Sequence, residues 1–285
     1  ITVIGRADDA YPKRYKQRLK HLAPPLLYAC GNLELLNQSA LAVVGSRATP
    51  ESLLQQTEQV GALAAAAGVV IVSGAAKGVD EAAMLGAVQS GGSAIGVVAD
   101  SLEKMSAKPI WRQALLDGRL LLLSAEAPSA RFQVWRAMAR NKLIYALADA
   151  ALVMSSAKGT GGTWEGAEEQ LTKLRCCTVH VVEDPRGGDG LAALHAIGAN
   201  LWPYPTTAET LKAFLAAEPV ITEQAPVSLH QRASAPQPVV VQESLLMPSE
   251  AAADASKEQC KEERLNPTKP TNDDQFTPID LRTVS

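Results

Sequence analysis

Val69-Val-Ile-Val-Ser-Gly-Ala-Ala-Lys-Gly-Val-Asp80, followed by Glu81-Ala-Ala-Met-Leu-Gly-Ala-Val88, is the stretch that decides the fold. Val69 to Val72 form an unbroken run of β-branched residues, as expected of a parallel strand covered on both faces. The run stops at Ser73 and Gly74. Gly78 then lets the chain turn into a helix beginning near Glu81. A helix that starts at such a turn aims unpaired N–H groups and partial positive charge at its neighbour, so a phosphate or other anion is the expected guest. Lys77 adds a full charge. Asp80 reads either as the helix N-cap or as an acceptor for a hydroxyl such as a ribose.

Working outward, the same grammar repeats. Leu41-Ala-Val-Val-Gly45 is a buried strand ending in a second small turn, Gly45, Ser46 and Arg47. Pro50 to Ala67 has helical spacing and is closed by Gly68. Ala94 to Val98 and Arg119 to Ser124 read as strands, with a helix over 109–116 between them. Phe132, Trp135, Ala139, Leu143 and Leu147 keep the spacing of a helix core face, with Arg140, Asn141 and Lys142 on its flank. Ala150 to Met154 is another strand. After it, Lys158-Gly-Thr-Gly-Gly-Thr-Trp-Glu165 reads as a glycine-rich anion cradle leading to a helix from Gly166. Lys158, Gly161, Gly162, Thr163 and Glu165 are its candidate ligand groups. It is not a P-loop, because no Lys-Ser/Thr pair follows the last glycine. Thr178 to Val182 is read as the last strand, with His180 a core histidine, and a helix capped by Thr206 or Thr207 closes the domain. The alternation implies an α/β fold, with a doubly wound, mostly parallel Rossmann-like sheet and functional loops at the carboxyl ends of the strands.

The 285 residues include 47% hydrophobic but only 4% aromatic side chains, which suits Ala-, Val- and Leu-rich α/β cores. Residues 1–218 hold 21 basic against 20 acidic residues, and 219–285 hold 6 against 10. A nearly neutral body argues against indiscriminate coating of nucleic acid but allows a local basic patch. Lys13, Arg14, Lys16, Arg18 and Lys20 form a cationic cluster in a lead-in over 1–40, read as a solvated helix face with nucleic-acid contact as the sharper option. The four cysteines fit neither a metal-ligand spacing nor a disulfide framework, which implies a reducing, cytoplasmic setting. No apolar run reaches the roughly 20 residues of a membrane span. Residues 41–218 are read as the Rossmann-like domain, and 219–285, rich in scattered proline, as an acidic disordered linker or tail in which 237–242 could form a docking strand.

Together, Val44-Gly-Ser-Arg47, Ser73-Gly-Ala-Ala-Lys-Gly-Val-Asp80 and Arg140-Asn-Lys142 resemble the signature turns of the DNA-processing protein family, Smf/DprA. Tyr11-Pro12, Ala23-Pro-Pro-Leu-Leu-Tyr28 and Gly31-Asn32 match its lead-in, so the resemblance runs in order over about residues 10 to 204. Two positions depart from the pattern. Met84 stands where the family usually has His, and Gly159-Thr-Gly-Gly-Thr-Trp-Glu165 replaces a Ser-Gly-Ser-x-x-Thr-Ala turn. The latter is closer to the loop of the Lonely Guy nucleoside-monophosphate phosphoribohydrolases.

The resemblance implies a non-enzymatic protein without a cofactor or metal that binds single-stranded DNA. It also implies hand-over to a RecA-type recombinase, in recombination or DNA uptake, with a possible homodimer. Arg47, Lys77, Arg140 and Lys142 would meet phosphates at the strand ends, and with few aromatics available backbone contacts would dominate. The alternative is a nucleotide sensor or phosphoribohydrolase in which Glu165 or Asp80 acts as acid/base or ribose ligand, and Arg140 clamps a phosphate.

Overall fold

Apolar β-branched and leucine runs become the middle of a single sheet in the computed structural model, which describes residues 1–218. The strands are β1 (Thr2–Gly5), β2 (Leu26–Gly31), β3 (Ala40–Val44), β4 (Val70–Ser73), β5 (Ala94–Val97), β6 (Leu120–Ser124), β7 (Ala150–Val153), β8 (Thr178–Val181) and β9 (Asn200–Leu201). The helices are α1 (Lys13–Leu19), α2 (Glu51–Ala66), α3 (Val79–Gln89), α4 (Leu102–Ser106), α5 (Pro109–Leu116), α6 (Val134–Leu147), α7 (Gly161–Glu169), α8 (Gly190–Ala196) and α9 (Ala208–Ala217). The tail and its 237–242 segment lie outside the described residues.

The sheet order is β1-β2-β6-β5-β4-β3-β7-β8-β9. From β6 to β9 every pairing is parallel, whereas β2 joins β6, and β1 joins β2, in antiparallel fashion. Every residue of β3, β4, β5, β6 and β7 is buried, as a parallel sheet covered on both faces requires. Strand order reverses between β3 and β7. In an open α/β sheet this switch point leaves a crevice beyond the carboxyl ends of the two strands.

The six strands read from sequence, β3 to β8, lie within one residue of their expected bounds. β8 is not the last strand, because the two-residue β9 pairs with it through His180 and Asn200. His180 is buried as expected, its Nε2 3.3 Å from a carboxylate oxygen of Glu218 and its ring packed edge-on to Trp202 and Phe214. The lead-in is part of the sheet, through β1 and β2. Its cationic helix is only partly solvated. Tyr15 and Leu19 of α1 are buried, and Arg14 and Arg18 donate to the carbonyls of Leu147, Ala146 and Ala148 at the end of α6. Arg14 also pairs with Asp149 at 2.8 Å. Cations at a helix C-terminus satisfy orphan carbonyls and complement the dipole, so two of the five charges hold the fold together.

Two larger corrections concern the helices beside the crevice. The glycine-rich run after β7 is not an extended cradle: α7 begins at Gly161, with Thr160 at its N-cap, and passes into a π-helical turn over Gln170–Leu174. In α6 the expected core stripe holds only at its second half. Leu143 and Leu147 are buried, but Phe132 and Trp135 are 47% and 58% exposed, and Ala139 is exposed as well. Phe132 and Val134, at the start of α6, line the crevice instead of packing into the core.

Candidate functional site

A cavity of about 510 Å³ occupies the switch point. Its floor is the end of β3 with Gly45 and Ser46, and Arg47 lies at its mouth; one wall is α6, through Met138, Arg140 and Asn141; the other is Ser156 and the first turn of α7. The turn after β3 is held by residues that carried no sequence signal. Ser155 Oγ accepts from the Ser46 amide at 2.8 Å and lies 2.9 Å from Thr49 Oγ1, which donates to the Ser46 carbonyl. Ser and Thr are too common for their type alone to point at such a brace.

The turn after β4 interlocks with it from behind. Gly78 has φ 94° and ψ −133°, a conformation close to glycine-only, and a Cβ there would lie 2.7 Å from the Ser46 carbonyl oxygen and 2.9 Å from Arg47 Cα. At Gly74 a Cβ would lie 2.4 Å from Arg140 Nη1 and 2.5 Å from Asp80 Oδ2. The glycines of this segment therefore serve internal packing. Ser73 is buried and donates to the Val43 carbonyl at 2.6 Å, and Ser73, Gly74, Lys77 and Gly78 are not among the cavity's lining residues. Lys77 is exposed.

Asp80 is neither N-cap nor open acceptor. Gly78 occupies the N-cap of α3, and Asp80, in the first turn, is buried with only an edge on the cavity. Burial raises its pKa, opposed by Arg140, by the Ser73 hydroxyl and by the amides of Ala76 and Gly45. The positive end of α3 thus faces a carboxylate of the chain itself. Arg140 is the matching cation. Its Nη1 donates to the Gly74 carbonyl at 2.6 Å and to that of Val97, and burial lowers its pKa, with Asp80 and Asp100 opposing. Arg140 ties the ends of β4 and β5 to α6 while presenting part of its surface to the cavity.

The N-terminus of α7 is left without a capping group. No side chain caps it, no acidic residue lies in its first turn, and Thr160, Gly161, Gly162 and Thr163 line the cavity. Asn141 fixes the approach of α6 by donating to the Gly162 carbonyl at 2.8 Å. On the same wall, Ser156 is buried at 2% exposure with a hydroxyl that has no hydrogen-bond partner. A buried hydroxyl without a partner costs about 1–3 kcal/mol, so a site that leaves one beside free amides suits a ligand with acceptor oxygens. Arg47 is exposed at the mouth, has no ion-pair partner among the described residues, and lies 5.4 Å from the centre of the Phe132 ring.

The remaining expected site residues fall elsewhere. Lys142 and Glu165 line a separate groove with Gly166 and Glu169. Because α7 starts five residues earlier than the sequence suggested, Glu165 is turned along the helix, away from the cavity. Lys158 is exposed at the rim, its amide donating to Asp189 at 3.0 Å. Among the described residues, no group of His, Cys, Asp and Glu side chains is placed to hold a metal, and no helix is long and apolar enough to cross a membrane.

Among curated relatives, the DNA processing protein DprA of Streptococcus pneumoniae is 35% identical over 166 residues, covering 57% of this chain and 58% of that protein. Protein Smf of Borreliella burgdorferi is 26% identical over 191 residues, covering 66% and 60%. The chain thus spans less than two thirds of the length of these relatives. The X-ray structure of the S. pneumoniae DprA superposes with a TM-score of 0.63 at 30% identity over 74% of this chain and 73% of that one. A Helicobacter pylori DNA processing protein A, solved for its single-stranded DNA binding mode, superposes at 0.60 with 23% identity, over 75% and 94%. The family model of DNA recombination-mediator protein A matches residues 2–214, and the chain belongs to that family.

Proposed function

We propose that the chain binds single-stranded DNA through its phosphates at the switch-point cavity and performs no covalent chemistry there. The observation that carries this reading is the pairing of an uncapped α7 N-terminus with the unpartnered Ser156 hydroxyl in the lining of one cavity. Free amides and a hydroxyl offer hydrogen bonds to phosphate oxygens, while Arg47 at the mouth and the exposed face of Arg140 supply charge. Lys77, Lys158 and Lys142 lie outside the cavity and in this reading guide flanking phosphates rather than grip one. Glu165 has no acid/base role, because it faces the neighbouring groove.

The family relationship and the H. pylori structure solved for its single-stranded DNA binding mode support the same reading. With it go a role in recombination or DNA uptake, transfer of the strand to a RecA-type recombinase, homodimer formation and a cytoplasmic setting. The test is titration of the protein with labelled oligo-dT across a salt series, alongside nucleoside monophosphates. Binding that falls steeply with salt, without release of free base, is the expected outcome. Base release from a monophosphate, lost in Glu165→Gln, would replace this reading with the phosphoribohydrolase one.

A further inference from the structure

Three large apolar residues lie on the surface within four positions. Phe132, Val134 and Trp135 are 47%, 69% and 58% exposed, in a chain whose other tryptophans, Trp111, Trp164 and Trp202, are all buried. Phe132 and Val134 also line the cavity, so this apolar lip is continuous with the phosphate-binding space. Scattered exposed apolar side chains need no explanation, but three large ones within four residues at the rim of a cavity do.

The cations around the lip narrow its occupant. The Arg47 guanidinium lies over the Phe132 ring at 5.4 Å, and that of Arg136 lies over the Trp135 ring at 5.1 Å. Arg136 is itself fixed, by Glu126 at 2.9 Å and by the Arg131 carbonyl at 2.9 Å, and the Trp135 indole N–H donates to Gln133. Each ring therefore has a guanidinium beside it and much of its surface open, and Trp135 is held in place by its indole hydrogen bond and by the anchored Arg136. Rings held in this way lose little entropy on contact. A planar base that stacks on them, with its phosphate drawn towards the nearby guanidinium, uses both features at once.

On the reading that the cavity takes the phosphates of single-stranded DNA, we infer that Phe132 and Trp135 receive the unstacked bases of that strand. Base stacking thus contributes to an interface in which, from the scarcity of aromatics, backbone contacts were expected to dominate. A base in a duplex is already stacked and paired, so the lip also favours single strands over double strands.

The experiment exploits Trp135 as the one largely exposed tryptophan. Intrinsic fluorescence and anisotropy are followed while oligo-dT, or an abasic phosphodiester of equal length and charge, is added to the full chain, to Trp135→Ala and to Trp135→Phe. Oligo-dT is expected to quench the emission, and the abasic strand to bind more weakly without quenching. Trp135→Ala should lose about tenfold in oligo-dT affinity and less than about twofold in abasic affinity, with the salt slope unchanged, and Trp135→Phe should recover most of the loss. Because the side chain is exposed, neither variant threatens folding, and a thermal melt verifies that.

Equal loss on both strands, or none on either, overturns the inference while leaving phosphate binding intact. Trp135→Ala that abolishes self-association in sedimentation but leaves oligo-dT affinity untouched also overturns it, by assigning the lip to a second copy of this chain. Absence of any oligonucleotide binding by the unaltered protein refutes the proposed function and this inference together.

Discussion

Gly78→Ala tests how the two central turns are built. Gly78 and Gly91 both have positive φ, at 94° and 82°, but a Cβ at Gly91 meets nothing within 4 Å whereas one at Gly78 runs into the backbone of Ser46 and Arg47 at 2.7 and 2.9 Å. Gly91→Ala should cost only the left-handed strain, about 1–2 kcal/mol. Gly78→Ala carries strain of about 1–3 kcal/mol in a region close to glycine-only, and about 1–3 kcal/mol more for overpacking against atoms that move only with the chain. A loss of about 3–5 kcal/mol is expected for Gly78→Ala, which for a domain of this size lowers Tm by about 10 °C. Because the clash falls on Ser46 and Arg47, oligo-dT binding should also weaken in the protein that remains folded, whereas Gly91→Ala should bind normally. Urea denaturation of the matched pair, with unchanged m values, gives the comparison. Equal destabilisation by the two substitutions would refute the interlocked-turn argument, because strain alone would then account for both.

Arg47→Ala should flatten the logarithmic salt dependence of oligo-dT binding by about 0.7, one single-strand phosphate contact, and leave the melting temperature unchanged, since Arg47 is exposed and has no ion-pair partner among the described residues. Arg140→Ala should behave differently, costing about 2–3 kcal/mol of stability, because it frees the Gly74 and Val97 carbonyls and leaves Asp80 buried without its cation. Arg14→Ala, which removes a partly buried pair with Asp149 and a cap on α6, should lower stability by about 1–2 kcal/mol without changing oligo-dT affinity, as read by melts and titrations on the same samples. Burial holds the pKa of His180 below its ordinary value, partly opposed by Glu218, so on acidification the unfolded chain takes up the proton first. Stability should therefore decline as pH falls below about 6.5, and His180→Gln should remove that part of the slope in melts between pH 5 and 8.

The sheet was legible because its evidence is local. A run such as Val69 to Val72 has to be covered on both faces, and the glycine after it marks where the chain turns, so strands and topology class follow without long-range information. The lip on α6 shows where that logic stops. Phe132, Trp135, Ala139 and Leu143 keep a helical period whichever surface lies opposite, and periodicity records only that one face is apolar. Here Phe132 lines a cavity, Trp135 is exposed on the surface beside it, and Leu143 is buried. Glu165 was misplaced for a related reason. Glycines at 161 and 162 suggested a loop by propensity, but at the first positions of a helix their cost is small, and moving the start of α7 to Gly161 swings Glu165 onto another face.

The proposed anion site carried a sequence signal that was legible at one turn and unused at the other. Both α3 and α7 begin just beyond a buried parallel strand, so backbone geometry alone gives each a positive end near the crevice. α3 carries Asp80 and Glu81 in its first turn; α7 carries no acid there. A carboxylate placed by the chain itself satisfies the helix end and, once buried, recruits an internal cation, which is the part Arg140 plays for Asp80. A helix end with neither acid nor capping side chain keeps its amides free, and only an external anion can satisfy them as fully. The glycine turn after β4 therefore organises the fold, while the turn after β7 is the one to which the proposed function brings a phosphate. What the sequence did not disclose is the buried Ser156 hydroxyl facing that second turn, because its orphaned state depends on the chain folding back through Gly187 and Gly190 to engage the Ser156 backbone while leaving its side chain alone.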